Sequence, residues 1–300
     1  MINNMNLNIV KKITLITIIA FVSIFFIHAV VVDSKLKPAK NFPMEIDFAG
    51  EKTPTNLADV YERLDREIIT NTNYHTNSIL VLKRANKIFP IIEPILAKYG
   101  IPDDFKYLAV IESSLVNAVS PAGARGVWQF MPTTAKEKGL EVTDEVDERY
   151  HLVKSTEAAC AYLLDAKEKF GNWTLAAASY NGGMAGVQRQ LDKQGVSSYY
   201  DLLLTEETAR YVFRILALKE IMTHPEAYGF NLPKETLYKN IPTRIIEVDS
   251  SITDFASFAS EQGINYKILK LHNPWLRDNE LVNKANKKYL IAIPTSGYGK

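Results

Sequence analysis

The chain has 300 residues, of which 47% are hydrophobic, and a formal net charge of +1; this composition excludes a wholly disordered chain and favours about two domains. The balanced charge gives no argument for nucleic acid as a partner. Cys160 is the only cysteine and the histidines lack metal-ligand spacing, so neither an intramolecular disulfide nor a metal or cofactor site is predicted.

The N-terminus begins with a long apolar segment. An uncharged run of twenty residues, 13–32, follows Lys11 and Lys12, and twenty helical residues span about 30 Å, the thickness of a bilayer core. Residues 1–34 are therefore predicted to be a signal anchor, favoured over a cleaved signal peptide because no good small-residue cleavage site follows. Residues 35–56 contain several prolines and are predicted to be a linker.

Helical periodicity begins at Leu57 and extends to Ile68, with apolar residues recurring three and four positions apart. A second helix is predicted over 79–88. Pro90 and Pro94 are expected to interrupt it, so that a separate short helical piece ends near Gly100.

A further helix is predicted to start at Pro102, with two aspartates in its first turn. Phe105, Leu108 and Ala109 form its apolar stripe, and the next position of that stripe is Glu112. A partly desolvated glutamate has a raised pKa, which is the property that a general acid needs. The alternative is a structural glutamate that is solvated or paired with a basic residue such as Arg125.

The residues after this glutamate carry a long motif. From Glu112 the order is ES…N.VSPAGA.G.WQFMP, ending at Pro132. It closely resembles the catalytic signature of lytic transglycosylases of the soluble-lytic and membrane-bound D types, which are goose-lysozyme-like enzymes that cut the glycan strand of peptidoglycan. The resemblance implies an all-helical, lysozyme-like catalytic domain around this segment.

The helices that follow extend the resemblance. Acidic residues dominate the loop 141–149, and a helix is predicted from Ser155 or Thr156 to Phe170. The next helix ends in Tyr-Asn-Gly-Gly at 180–183, similar to the third motif of the family. L-T-E-E-T-x-R-Y-V then begins another helix and resembles a segment of the D-type group. The predicted catalytic domain covers residues 57–232.

The C-terminal segment changes to β-branched, alternating sequence. Strand, helix, helix and strand are predicted at 241–248, 252–262, 268–275 and 289–293. This order resembles a LysM domain, a small module that binds N-acetylglucosamine chains, although Ser250-Ser251 replaces the usual Gly-Asp. The predicted fold class is thus mainly α, with a lysozyme-like helical domain and a degenerate βααβ, LysM-like domain at 240–296.

The resemblance implies a membrane-anchored peptidoglycan lytic transglycosylase in which Glu112 acts first as acid and then as base, without a cofactor. Peptidoglycan glycan strands and, through the N-terminal helix, the membrane are the implied partners. The implied location is the inner membrane with the catalytic domain on the periplasmic side, or the periplasm if the N-terminus is cleaved. The residues expected to bind substrate are Ser113, Ser120, Gln129, Met131, Tyr162, Tyr180 and Asn181.

Two other functions fit the same residues. A hydrolytic lysozyme would need a second carboxylate about 6.5–9.5 Å from Glu112 to activate water, and Asp144 or Asp147 could supply it. A non-catalytic peptidoglycan-binding protein would use the C-terminal module and a silent groove.

Overall fold

The computed structural model describes residue 43 and residues 45–298, which belong to one compact unit that begins at Pro43. The predicted signal anchor at 1–34 lies outside the described residues. Within the described part of the chain, no helix is both long and apolar enough to cross a membrane.

The body of the molecule is helical, as predicted. Its helices are α1 (Ala58–Asn73), α2 (His75–Lys98), α3 (Lys106–Ser113), α4 (Pro132–Glu137), α5 (Leu152–Phe170), α6 (Trp173–Gly182), α7 (Met184–Gln194) and α8 (Glu206–Thr223). Two short antiparallel hairpins accompany them, β1 (Asp47–Phe48) with β2 (Glu51–Lys52) and β3 (Ala118–Val119) with β4 (Arg125–Gly126).

Helix α8 lies at the centre of this body. It packs against α1, α3 and α6, and its buried residues face several sides of the helix, including Tyr211, Val212, Phe213 and Leu216. A helix that is apolar on most faces is buried by its neighbours rather than by one layer. Helix α8 is therefore the central buried helix, against which α1, α3 and α6 pack.

The prediction that Pro90 and Pro94 interrupt the second helix is wrong. Both prolines lie inside the continuous helix α2. They are four residues apart and exposed, so the carbonyls that lose a backbone partner face water on one side. Ile92 and Leu96 are buried on the opposite side, and their packing holds the helix through the proline positions.

The predicted linker is too long at its C-terminal end, because residues 45–56 are packed on the helical body. Phe48 is fully buried and its ring lies 5.0 Å from that of Phe105. The Glu51 carboxylate accepts hydrogen bonds from the amides of Trp173 (2.6 Å) and Thr174 (2.9 Å). A carboxylate at the start of α6 is stabilised there by the positive end of the helix dipole.

Helix α5 begins earlier than the sequence pattern predicts. Its first residue is Leu152, and the ring of His151, rather than Ser155 or Thr156, accepts the capping hydrogen bond from the Lys154 amide. The hydroxyls of Ser155 and Thr156 instead donate to the carbonyl of Leu152, a bond that serine and threonine make inside a helix.

The C-terminal unit has the predicted βααβ order. Its elements are β5 (Thr243–Val248), α9 (Phe255–Glu261), α10 (Tyr266–His272) and β6 (Tyr289–Pro294). The two strands pair antiparallel over their whole length. Trp275 is buried in this core and stacks on Tyr289 with ring centroids 5.7 Å apart, so its indole is a core anchor.

Candidate active site

Glu112 lies in the last turn of α3, on the side of the helix that faces α8. Ser114 follows with a φ of +53° and ends the helix in the left-handed region. The carboxylate is half-buried and stands at the negative end of the helix dipole, where its charged form is disfavoured. The apolar stripe identified in the sequence therefore does bring an acid into the interior.

The pKa of Glu112 is raised to about 7, and burial is the largest cause. A hydrogen bond donated by the Tyr211 hydroxyl and the positive charge of Arg214 oppose this rise, while the charge of Glu207 adds to it. A carboxyl with this pKa is about half protonated near neutral pH. It can give a proton and accept one back, as general acid–base catalysis requires.

Tyr211 and Arg214 are two residues of the site that the sequence motifs do not predict. Both lie on α8, and Tyr211 is buried while Arg214 donates to the Ile111 carbonyl at 3.1 Å. The alternative pairing of Glu112 with Arg125 is wrong, because Arg125 lies 3.5 Å from a carboxylate oxygen of Asp147. The Arg-Tyr-Val sequence at 210–212 belongs to a recognisable family segment. It does not indicate, however, that the Tyr211 hydroxyl contacts Glu112, which lies 99 positions earlier in the chain.

We name residues 118–131, which belong to the motif that follows Glu112, the catalytic loop; it is hydrogen-bonded to the residue next to Glu112 through Val127. Gly126 has a φ of +85°, and a Cβ on it would lie 1.9 Å from the Arg149 carbonyl oxygen. The Gln129 side-chain amide donates to the carbonyls of Ala118 (3.1 Å) and Gly126 (2.7 Å). The Gln129 side chain thus links the start of the loop to its C-terminal half.

The two serines of the motif have different surroundings. Ser113 is buried, and its hydroxyl donates to the Val127 carbonyl at 2.8 Å. Ser120 is half-buried and its hydroxyl accepts from the Ala124 amide at 3.0 Å, which leaves its proton available. Met131 is 42% exposed at the end of the loop.

Tyr162 and Tyr180 pack edge to face with ring centroids 5.1 Å apart. The Tyr180 hydroxyl donates to the Trp128 carbonyl at 2.8 Å, and that of Tyr162 donates to the Ser179 carbonyl at 2.7 Å. The charge of Glu112 contributes to the raised pKa of Tyr180, so Tyr180 lies close to the acid. The hydroxyl that contacts Glu112 is nevertheless that of Tyr211.

Asn181 joins the end of α6 to the start of α8. Its amide nitrogen donates to Glu207 at 3.0 Å and its oxygen accepts from the Thr208 hydroxyl at 2.7 Å. Both polar atoms are occupied, and the bond to Glu207 fixes a second carboxylate whose charge acts on Glu112.

An open cavity of about 730 Å³ lies beside the acid. It reaches Ser114, two residues after Glu112, and it includes Glu207 and Arg214. The remaining lining residues are polar or aromatic, namely Glu67, Thr70, Asn71, Tyr74, Asn77, Glu206 and Arg210. Tyr74 is 64% exposed, so this cavity combines amides, hydroxyls and one open ring face with the carboxylates and guanidinium groups of its three glutamates and two arginines.

The acidic loop 141–149 does not offer a free buried base. Asp147 is buried, and its two carboxylate oxygens accept from Arg149 at 2.8 and 2.7 Å. Asp144 is exposed on the surface. Within the described residues, no group of three or more histidine, cysteine, aspartate or glutamate side chains could hold a metal ion.

Two family models match separate parts of the chain. Residues 90–202 match the transglycosylase SLT domain, and residues 244–297 match the soluble lytic transglycosylase C-terminal LysM-like domain. The chain therefore carries a lysozyme-like SLT domain followed by a LysM-like domain. The resemblance drawn from the motifs and the predicted fold class are confirmed.

The chain is also similar in sequence to individual proteins. The chain is 31% identical over 190 residues to the membrane-bound lytic murein transglycosylase D of Escherichia coli (strain K12), covering 61% of this chain and 41% of that protein. It is also 29% identical over 110 residues to a putative tributyltin chloride resistance protein of Alteromonas sp. (strain M-1), covering 36% of this chain and 53% of that protein. The chain thus spans about two fifths of the first relative and about half of the second.

Proposed function

We propose that the chain is a peptidoglycan lytic transglycosylase that cleaves the β-1,4 bond between N-acetylmuramic acid and N-acetylglucosamine and leaves 1,6-anhydro-muramic ends. The observation that carries this proposal is the half-buried Glu112, whose pKa is about 7, inside an SLT domain. The similarity to a membrane-bound lytic murein transglycosylase supports the same reaction.

The reaction uses Glu112 twice. Its protonated carboxyl donates to the glycosidic oxygen as the bond breaks, and the N-acetyl group of the substrate stabilises the positive sugar carbon. The resulting carboxylate takes the proton from the C6 hydroxyl of the same muramic residue, which closes the anhydro ring. This intramolecular attack is fast relative to attack by water because the reacting atoms are already held together, and the scheme needs no cofactor.

Tyr211 has the role of orienting the carboxylate. Its hydroxyl donates to one oxygen of Glu112, which leaves the other oxygen to face the substrate. The hydrogen bond also stabilises the carboxylate form that follows the first proton transfer. Arg214 supports the same form through its charge.

The hydrolytic lysozyme alternative is less well supported. Asp147 has both oxygens bound to Arg149, so it is poorly suited to take a proton from water. Glu207 acts on Glu112 through its charge but already accepts a hydrogen bond from Asn181. A single acid–base residue accounts for the site without either of them.

The glycan strand is proposed to run past the catalytic loop and into the cavity beside Ser114. Among the motif residues expected to bind substrate, Met131 is exposed and Ser120 is half-buried, and Tyr74 provides an open ring for a sugar face. Ser113, Gln129, Tyr162, Tyr180 and Asn181 are proposed to act mainly by holding the walls of the groove, since each already uses polar atoms in hydrogen bonds within the protein.

The proposed location is the cell envelope, where the substrate lies. The apolar run at 13–32 and the membrane-bound relative support an inner-membrane anchor with the catalytic domain on the periplasmic side. The LysM-like domain is proposed to have little affinity for sugar, because Ser250-Ser251 replaces the usual Gly-Asp.

Mass spectrometry of the products released from intact sacculi tests the proposed function. We expect muropeptides lighter than hydrolysis products by one water, ending in anhydro-muramic acid, and their loss in Glu112→Gln. Reducing ends would instead support a lysozyme. Bound sacculi without any products would support a binding protein.

A further inference from the structure

Arg149 joins the middle of the catalytic loop to its C-terminal end. One guanidinium nitrogen donates to the carbonyls of Gly123 (3.1 Å) and Phe130 (3.2 Å). The other nitrogens donate to the carboxylate of Asp147. Arg149 is 3% exposed and Asp147 is 1% exposed, so this clamp is shielded from water.

The clamped loop is joined directly to the catalytic helix. The Ser113 hydroxyl, next to Glu112, donates to the Val127 carbonyl at 2.8 Å. Tyr180, which is close to the acid, donates to the Trp128 carbonyl at 2.8 Å. A shift of the loop would therefore change the shielding of the Glu112 carboxyl from water.

On its other side, the clamp is embedded in the C-terminal domain. We name residues 145–150 the brace segment. Val146 is 1% exposed, and it belongs with Tyr150 to the hydrophobic core formed by the C-terminal domain. The Asp147 amide donates to the Trp275 carbonyl at 2.9 Å, and the Arg277 amide donates to the Glu145 carbonyl at 2.7 Å.

We propose that the C-terminal domain acts as a buttress of the active site, holding the catalytic loop in place through the brace segment, with Arg149 as the positioning residue. This inference rests on the proposed function, since the loop serves the reaction of Glu112. It gives the LysM-like domain a role that does not require it to bind sugar.

The chemistry of the clamp explains why arginine stands at this position. Its planar fork presents five donors, enough for a carboxylate and two carbonyls at once. A lysine would keep the charge but could not span the same four acceptor atoms. Because these groups are buried, a loop in another position would leave the Arg149–Asp147 pair or the two loop carbonyls without hydrogen-bond partners. The free-energy cost of such unpaired groups favours the observed position of the loop.

The test uses the full chain and the variant Val146→Ala, which removes side-chain contacts between the brace segment and the C-terminal core. Its control is Leu269→Ala. Leu269 is equally buried in the same core but lies on α10, outside the brace segment and its hydrogen-bonded partners. Hydrogen exchange is followed at the amides of Arg125 and Phe130, which bond to each other's carbonyls.

We expect exchange at these amides to be about tenfold faster in Val146→Ala and unchanged in Leu269→Ala. We also expect kcat on sacculi to fall by about tenfold, with KM nearly unchanged, only in Val146→Ala. The alkaline limb of the kcat/KM profile should move to lower pH, because water that reaches Glu112 lowers its raised pKa. Arg149→Lys should show the same three changes.

Equal exchange rates in the two alanine variants would overturn the buttress, as would an unchanged kcat and pH profile in Val146→Ala and Arg149→Lys despite a lower Tm. Failure of the proposed function looks different. In that case the unmutated chain releases no anhydro products, while the exchange comparison still decides whether the C-terminal domain holds the loop.

Discussion

At the scale of single residues, the site is governed by the contact between Glu112 and Tyr211. Burial raises the pKa of the carboxyl, and the tyrosine hydroxyl partly opposes that rise. A carboxyl with a pKa of about 7 can both give a proton and take one back near neutral pH, as the proposed reaction requires. One substitution can remove the Tyr211 hydroxyl, and another can remove the titrating carboxyl of Glu112.

Tyr211→Phe removes the hydrogen bond and keeps the ring. Because the bond stabilises the carboxylate, its loss raises the pKa of Glu112, and the alkaline limb of kcat/KM should move up by up to about one pH unit. We also expect kcat to fall by about tenfold to a hundredfold as the carboxylate loses its orientation. Full pH–rate profiles of both proteins make this measurement.

Tyr199→Phe is the matched control for that experiment. Tyr199 is also buried, but its hydroxyl donates to the carbonyls of Thr208 and Ala209. It should reduce stability without moving the pH limb. An equal shift in both variants would show that the effect is not specific to the bond with Glu112.

Glu112→Gln should stabilise the protein at alkaline pH. The folded-state pKa of about 7 lies above the ordinary value of 4.5, so the folded state holds its proton more tightly than the unfolded chain. Wild-type stability therefore falls as pH rises from 4.5 to about 7, whereas glutamine does not titrate. We expect the variant to gain about 2 kcal/mol relative to wild type between pH 5 and pH 8.

Urea denaturation of both proteins at the two pH values measures this gain. A difference in the free energy of unfolding that stays constant between pH 5 and pH 8 would contradict the raised pKa. The extra stability of the inactive variant would reflect the common cost of holding a charged catalytic group in a dry site.

At the scale of elements, the catalytic loop depends on close approach between backbones. Gly126 combines a positive φ with contact against the Arg149 carbonyl. Gly139 has nearly the same φ, +82°, but a Cβ added there would meet no atom of the described residues within 4 Å. The pair separates the cost of the backbone conformation from the cost of the clash. It makes a direct test of how tightly the brace segment fits the loop.

Gly139→Ala should cost about 1 kcal/mol, the ordinary cost of a left-handed residue with a side chain. Gly126→Ala should cost at least about 3 kcal/mol and should remove most activity, because the loop must move away from Arg149. Chemical denaturation and assays on sacculi measure the two effects. Similar losses in both variants would mean that the loop yields easily at this contact.

Periodicity in the sequence identified most of these elements. It placed α1 and α3, whose apolar residues recur three and four positions apart, and the elements of the C-terminal domain. Helix α6 is buried along six consecutive residues and was placed by the Tyr-Asn-Gly-Gly sequence at its end. Periodicity failed at α2, where exposed Pro90 and Pro94 are tolerated by packing on the opposite face. Local pattern also gave a linker at residues 45–56, although this segment is packed on the helical body through contacts with distant residues such as Phe105 and Trp173.

At the scale of the whole molecule, the two domains share a hydrophobic core. Val146 and Tyr150 come from the body of the chain but pack within the C-terminal domain. Domains with separate cores usually unfold separately, whereas a shared core couples them. We expect calorimetry of the full chain to give one cooperative transition.

Val146→Ala should weaken this coupling. Its single transition should broaden or divide into two, since the shared contact loses packing on both sides. Two separate transitions in the unmutated chain would argue that each domain is stable without the other. Leu269→Ala, which lies inside the C-terminal core, should lower Tm while leaving one transition.

The sequence by itself determined the class of helical fold and the order of the elements in the C-terminal domain, and it predicted Glu112 as the proposed acid. These follow from local patterns, namely an apolar stripe that ends on Glu112 and a motif whose residues are close together in the sequence. The tertiary structure alone decided which tyrosine contacts the acid and how Arg149 holds the catalytic loop. It also decided that the C-terminal domain packs behind that loop. Such contacts join residues far apart in the chain, and their energies depend on burial and distance, which no local pattern encodes.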